Sequence, residues 1–298
     1  MVRDYKSRTI HDCVIHATIG NTGNNSEYLD EKYDWADIVI THLGAVGEAI
    51  NICKKKNKPL IWISHNTHGC RAIELRPEIG IIYNADWTVG VNGYKNDHIV
   101  CHPMCVFPEG ESTGMYVTLV NCCENKGGHV LKALAERDIA CLGVEGAYGK
   151  QIEGDFELID HTEDIFDVLR LTKVLIMPSK YESWGRVGVE AMCMGVPVIA
   201  HETPGTRESL GDAAWYCDRD NIEEWVDSIK RVGGPFAQSF FKSAIAAQLT
   251  RIKEQAEKDV EKFDQFINQQ LEKWQMSKSS PQSDSSESKG KAKTHTVV

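Results

Sequence analysis

The sequence predicts an α/β fold made of two Rossmann-like halves, and three observations carry that reading. Short runs rich in Val and Ile recur along the chain and are apolar throughout, as strands buried on both faces of a parallel sheet are. Amphipathic helical stretches separate these runs. A length of 298 residues suits two domains better than one.

In chain order the predicted strands are Cys13–Thr18, Asp37–Thr41, Leu60–Ser64, Gly80–Tyr83, His98–Cys101, Tyr116–Val120, Ile139–Leu142, Val174–Met177 and Val196–Ala200. Between them Ala45–Lys54, His129–Glu136, Asp164–Leu171 and Arg186–Met194 read as helices, the alternation of a doubly wound sheet. Pro108 to Gly114 breaks the alternation with turn formers and charge, which divides the chain into a first domain (1–108), a linker (109–114) and a second domain (115–235). Asn221, followed by Glu223 and Glu224, reads as a helix N-cap with acids in the first turn.

Beyond it, Leu249, Ile252, Ala256, Val260, Phe263, Ile267, Leu271 and Trp274 form one apolar stripe on a long helix (236–275). The expectation is that this stripe packs on the body of the protein, although its spacing is also heptad-compatible and would serve a homodimer. From Met276 to Val298 the Ser, Lys and Gly content reads as a disordered tail.

A net charge of −10 argues against a dedicated nucleic-acid binder, and no apolar run approaches the roughly 18–20 residues that span a bilayer. The ten cysteines form no CxxC pair and several lie in apolar runs, so they read as reduced core thiols of a cytoplasmic protein. His65, His68 and Cys70, with Cys101, His102 and Cys105, fit no standard zinc spacing, and no metal site is expected.

The chemistry concentrates between Met177 and Ala200. Glu182 and Glu190, eight residues apart, straddle a strand-to-helix junction with Gly185 where the helix starts. The amides of Gly185, Arg186 and Val187 then face outward at a positive helix terminus, suited to a diphosphate. Carboxylates on either side of such a cradle suit hydroxyls: a sugar on one flank and a ribose on the other.

This stretch resembles the retaining glycosyltransferases of the GT-B fold, in particular glycosyltransferase family 4. The resemblance rests on the E-x(7)-E pair Glu182 and Glu190, on Met177-Pro178-Ser179, on Glu190-Ala191-Met192 with Gly195-Val196-Pro197-Val198, and on the run from Thr203 to Ala213. It implies a retaining transfer of sugar from a nucleoside diphosphate sugar, the co-substrate, to an acceptor the sequence does not identify, with no metal and no other cofactor. By the same resemblance Glu182 contacts the donor sugar, Glu190 the ribose and Lys126 the diphosphate, where a cation meets the charge that grows as the glycosidic bond breaks. Gly127 follows Lys126, and Gly146 belongs to a glycine loop near the nucleotide. Ile159 to Thr162 falls where the family recognises the base, His65 ends a strand facing the donor sugar, and Asn84 matches a recurrent position read as structural.

The chain departs from the family in two places. Asn121 stands where the family often has arginine, so Arg186 is the candidate replacement cation. Ile10 to His16 resembles the family's second strand, or else Cys13–Thr18 resembles its first, with Gly20 to Gly23 as the loop and a deletion after it; either way the first domain is short by about one strand–helix unit. That shortfall raises the alternative of a nucleotide-sugar-binding module without turnover. The four lysines after residue 276 permit a transferase acting on modified DNA bases. Asp218-Arg219-Asp220 reads as turn chemistry instead of a metal-binding DxD.

Overall fold

The computed structural model describes residues 6–10, 13–17, 33–42, 45–65, 67, 70–105, 112, 114–162 and 164–279. It contains two all-parallel sheets flanked by helices. In the first, strands β3 (Val39–His42), β4 (Leu60–Ser64), β5 (Gly80–Tyr83) and β6 (His98–Val100) lie side by side in chain order. Helix α1 (Val46–Lys56) connects β3 to β4, α2 (Arg71–Glu74) lies between β4 and β5, and α3 (Asp86–Asn92) connects β5 to β6. Lys54, Lys55 and Lys56 end α1, where cations complement the helix dipole.

The second sheet has strands β7 (Tyr116–Val120), β8 (Cys141–Val144), β9 (Glu157–Ile159), β10 (Thr172–Met177), β11 (Val198–His201) and β12 (Trp215–Cys217), in the spatial order β12-β11-β10-β7-β8-β9. The chain runs outward from β7 through β8 to β9, then crosses back to β10 and runs outward on the other side. The crevice between the carboxyl ends of β7 and β10 is therefore a topological switch point, where open α/β sheets bind ligands. Val117, Leu119, Val174, Leu175, Ile176, Val198 and Ile199 are buried in this sheet, which explains the unbroken apolar runs. Helices α4 (Gly128–Ala135), α5 (Ile165–Arg170), α6 (Arg186–Cys193), α7 (Pro204–Leu210) and α8 (Ile222–Val232) cover it. Asn221 caps α8 as expected, its side chain accepting from Glu224 N–H, and Trp225 from that helix is fully buried.

Three readings need correction. The run from Cys13 is not a member of a parallel sheet: β2 (Cys13–Ala17) pairs antiparallel with β1 (Lys6–Ile10) in a separate two-stranded sheet. Two residues separate Ile10 from Cys13, enough for a hairpin but far short of the dozen or so that a parallel crossover needs. The edge strands β9 and β12, three residues each, were too short to register as apolar runs. The final helix α9 runs from Pro235 to Ser279, so Met276 to Ser279 are helical, not tail, and the rest of the tail lies outside the described residues. Of the linker 109–114 only Ser112 and Gly114 are described: Ser112 Oγ donates to Thr172 O of the second sheet at 2.5 Å, and Gly114 N–H donates to Ser112 Oγ at 3.1 Å.

With 45 residues, α9 is about 68 Å long and crosses both units. Phe241 packs on Trp215 with ring centroids 4.9 Å apart, Gln248 donates to Ser209 O at 2.6 Å, and Phe266 packs against Ile61 and Ile82 of the first sheet. Lys273 pairs with Asp97. The buried line runs through Ala237, Phe241, Ile245, Gln248, Ile252, Asp259, Phe266 and Gln270, and the expected apolar stripe packs beside it on the body through Leu249, Ile252, Phe263 and Ile267, with Val260 at its edge 46% exposed. Three of those positions are polar and bond to the body, which an apolar stripe cannot reveal. The helix thus packs its inner face on its own chain.

Candidate active site

Two loops at the switch point build the site. After β7, Asn121 takes a left-handed conformation (φ 65°) and leads into a single 3-10 turn, Glu124 to Lys126. Gly127, at φ 89°, closes that turn and starts α4; a Cβ there would sit 2.4 Å from the Pro178 ring, so only glycine fits. Arg219 staples the same region: its Nε donates to Pro178 O at 3.0 Å and its Nη2 to Glu124 O at 2.6 Å. Asp218 Oδ1 accepts from Asp220 N–H at 2.9 Å, the expected turn chemistry, while Arg219 holds the Lys126 turn against the exit of β10.

After β10 the chain passes Pro178, Ser179 and Glu182 to Gly185, the N-cap of α6 with φ 80°. No side chain caps α6, so the first-turn amides keep no side-chain partner at the positive end of the helix dipole. Lys126 Nζ pairs with Glu182 Oε1, which also accepts from Ser179 Oγ at 2.7 Å. Arg186 Nε lies 3.0 Å from Glu190 Oε1, one helical turn on. Both glutamates are buried at the residue level, at 8% and 9% exposure. Burial works against the Lys126 ammonium, but the Glu182 carboxylate and then Tyr148 outweigh it and hold the group above the usual lysine value. Burial raises the Glu190 carboxyl, and the Arg186 guanidinium offsets part of that.

These groups open on a cleft of about 510 Å³ lined by Asn121, Lys126, Gly146, Glu182, Gly185, Arg186, Val187 and Glu190. Of the expected donor-site residues, Gly127 stands behind Lys126 and does not line it. Asn121 does not replace an arginine: its Oδ1 accepts from Gln151 Nε2 at 3.2 Å and Cys123 N–H at 3.3 Å. Gly146 approaches so closely that a Cβ would lie 2.0 Å from Asn121 Cγ. Asn121, Gln151 and Gly146 therefore lock two loops together. Ser179, Tyr148 of the glycine loop and His161 of the segment expected near the base also line the cleft, together with Met104, which sequence reading did not single out.

His65 does not line this cleft. It follows β4 directly and lines a second cavity of about 630 Å³, which Glu182, Gly185, Arg186 and Met104 share. Its ring meets His42 edge-on at 5.3 Å, and burial, then that neighbour, holds its basicity below the usual value.

A cluster that sequence reading missed ties the two units together. His102, just past β6, places Nδ1 2.7 Å from Asp259 Oδ2 on α9 and Nε2 3.0 Å from Glu208 Oε1 on α7, with Asp86 Oδ2 3.7 Å from Nε2. Glu208 also accepts from the first-turn amides of α3, Asp86 at 2.8 Å and Trp87 at 3.1 Å. Burial disfavours the imidazolium, but Glu208 and Asp259 outweigh it and raise His102; the same contacts overcome burial to lower Glu208 and Asp259. Trp87 Nε1 donates to Ser183 O at 2.6 Å, fastening the first unit to the loop that carries Glu182.

Among the described residues, the only His, Cys, Asp and Glu group spaced for a metal ion is Asp86, His102 and Glu208, and both imidazole nitrogens there already face carboxylates. His68 lies outside the described residues. Burial pushes the Cys105, Cys122 and Cys141 thiols up to about 12, so they pack as apolar groups. No described helix is long and apolar enough to cross a membrane.

Residues 146–233 match the family described as glycosyl transferases group 1. Over 125 residues the chain is 27% identical to the α-1,3/1,6-mannosyltransferase alg-2 of Neurospora crassa, covering 41% of this chain and 26% of that protein. Over 72 residues it is 32% identical to the D-inositol 3-phosphate glycosyltransferase of Saccharomonospora viridis, covering 24% of this chain and 17% of that one. The chain thus matches about a quarter or less of the length of these relatives. Among solved structures, Anabaena HepE in complex with UDP and glucose superposes with a TM-score of 0.67 at 16% identity over 80% of each chain. A glycosyltransferase from Rickettsia africae gives 0.61 at 14% identity over 84% of each. Residues 146–233 therefore carry the glycosyl transferases group 1 match, and the two-sheet body has the GT-B fold of glycosyltransferases.

Proposed function

We propose that the chain is a retaining glycosyltransferase that uses a nucleoside diphosphate sugar, with the donor in the cleft between β7 and β10. The observation that carries this reading is the cross-neutralised site: two cations, Lys126 and Arg186, each paired to one of two carboxylates, Glu182 and Glu190, around an uncapped helix start. A sugar nucleotide answers all four groups at once. Its diphosphate takes the two cations and the α6 amides, and its hydroxyls take the two carboxylates, so every pair broken on binding is replaced by a charge-assisted bond.

In this reading Glu190 holds the ribose and Glu182 orients the sugar, while His65 faces it from the adjoining cavity. Lys126, Arg186 and the helix start stabilise the leaving diphosphate, charge that develops only as the bond breaks. Departure and attack share one face of the sugar, and the donor phosphate accepts the incoming hydroxyl's proton. The Anabaena neighbour's complex with UDP and glucose supports a uridine nucleotide as the first probe.

The test is diphosphate release and UDP affinity in Lys126→Ala, Arg186→Ala and Glu190→Ala. Loss in all three with intact folding is expected. Loss in Asn121→Ala but not Arg186→Ala refutes the role of Arg186, and normal turnover and affinity in Glu190→Ala refutes the donor assignment. Stabilisation by UDP-sugars without release or transfer would favour a binding module over an enzyme.

A further inference from the structure

The second cavity sits at the carboxyl ends of β4, β5 and β6, under the loop that carries Glu182, and is closed on one side by α9. Its walls are apolar: Ile63 and Ile82 from the sheet, Val260 and Phe263 from α9, Trp184 from the loop, and Met104, which is 69% exposed and also lines the donor cleft. At about 630 Å³ it can take a ligand of drug size. Most polar groups along it are already engaged: His102 with Asp259 and Glu208, and Glu182 with Lys126 and Ser179.

Among the buried polar groups along it, Asn84 is the exception. It lies at the end of β5, is 7% exposed, and lines the cavity. Its Nδ2 donates to Ser183 Oγ at 3.1 Å, while its Oδ1 has no hydrogen-bond partner among the described residues. An orphaned buried amide oxygen costs about 1–3 kcal/mol unless something bonds it. Turning the amide over leaves its N–H orphaned instead, so one polar atom of Asn84 waits for a partner in either orientation. A hydroxyl, both donor and acceptor, answers either case.

We propose that this cavity is the acceptor site and that it takes an amphipathic alcohol, with a hydroxylated head bonded to Asn84 and an apolar tail lying along Val260, Phe263 and Met104. The assignment rests on the adjoining cleft binding the sugar nucleotide. Glu182, Gly185 and Arg186 line both spaces, so a head group at Asn84 presents a hydroxyl toward the donor. That oxygen forms the new bond to the sugar's anomeric carbon as the bond from that carbon to the phosphate oxygen breaks. The diphosphate leaves with the electron pair and takes the hydroxyl proton. A wholly polar acceptor would leave the apolar walls unused.

The test is calorimetric titration of the full chain with hexyl and methyl β-glucoside, with UDP titrated in parallel. The hexyl glycoside is expected to bind at least about tenfold more tightly, the gain from burying about two methylenes. Val260→Asp, at a half-exposed helix position that the fold tolerates, is expected to abolish that preference. Asn84→Ala is expected to weaken both glycosides alike, by about fivefold. A smaller preference, absence of binding by either glycoside, or a preference that survives Val260→Asp overturns the assignment. UDP binding without glycoside binding leaves the donor reading standing and removes this one; the hexyl preference without UDP binding removes the donor reading, and with it the acceptor role, and leaves only a cavity that binds amphipathic alcohols.

Discussion

His102 is the test of how the two units are held together. Its imidazole bridges Asp259 on α9 and Glu208 on α7, with side-chain exposures of 13%, 6% and 17%. Since both ring nitrogens face carboxylates, the ring serves both only as a double donor, that is, protonated. His102→Gln removes the cation and leaves two carboxylates in a poorly solvated junction. Removing one partner of a buried ion pair typically costs about 3–5 kcal/mol. Here Glu208 keeps the Asp86 and Trp87 amides, and Asp259 keeps Gln255 at 2.8 Å and Lys262 at 3.1 Å. A loss of about 2–3 kcal/mol is therefore expected, below that range.

The pH dependence is more diagnostic than the size. His102 is raised in the folded chain, so its contribution is complete below the unfolded histidine value of about 6.5 and disappears as pH climbs through the folded value. Glu208 and Asp259 are lowered, so theirs is complete above about pH 4.5 and is lost as pH falls through their folded values. Urea unfolding of wild type and His102→Gln should show the widest gap near pH 5–6 and a gap that narrows as pH climbs through the folded histidine value. A gap that does not narrow at any alkaline pH at which the wild type stays folded, or one smaller than about 1 kcal/mol at pH 6, would refute the protonated bridge.

Other expectations follow from the same geometry. Gly127→Ala forces a positive φ on alanine and drives its Cβ into Pro178, so it should destabilise by about 2 kcal/mol or more and weaken UDP binding by shifting Lys126, read by urea unfolding and titration. Gly146→Ala places a methyl 2.0 Å from Asn121 Cγ and should raise loop proteolysis near Tyr148 without altering the far end of α9. UDP affinity should decline on acidification through a value above the ordinary glutamate range, because burial raises Glu190 and only its ionised form accepts from a ribose hydroxyl; a decline centred at or below about 4.3 would contradict that.

Much of the second unit was legible because its information is local. The apolar run Val174–Met177, the glycine at 185 and the paired glutamates lie within one strand–loop–helix segment, and burial of both sheet faces leaves an unbroken apolar signature. The His102 bridge was not legible, since its partners stand 106 and 157 residues away and a lone histidine after a strand carries no signal of either. The stripe of α9 was legible and packs on the body through Ile252, Phe263 and Ile267, but its polar contacts were not: Gln248 and Asp259 are buried because Ser209 and His102 meet them, contacts that apolar periodicity does not encode. At the first unit, the apolar content of Cys13–Ala17 suggested a sheet strand, whereas the short connection to Ile10 governs how it pairs.

The central claim, a nucleoside diphosphate seated between Lys126 and Glu190 over the start of α6, is tested most directly by calorimetric titration of UDP into wild type and Glu190→Ala. Measurable wild-type binding that weakens by about 10- to 100-fold in the variant is expected, the worth of hydrogen bonds to a charged group. Equal affinity in the two proteins, or no binding of UDP to wild type, would contradict it.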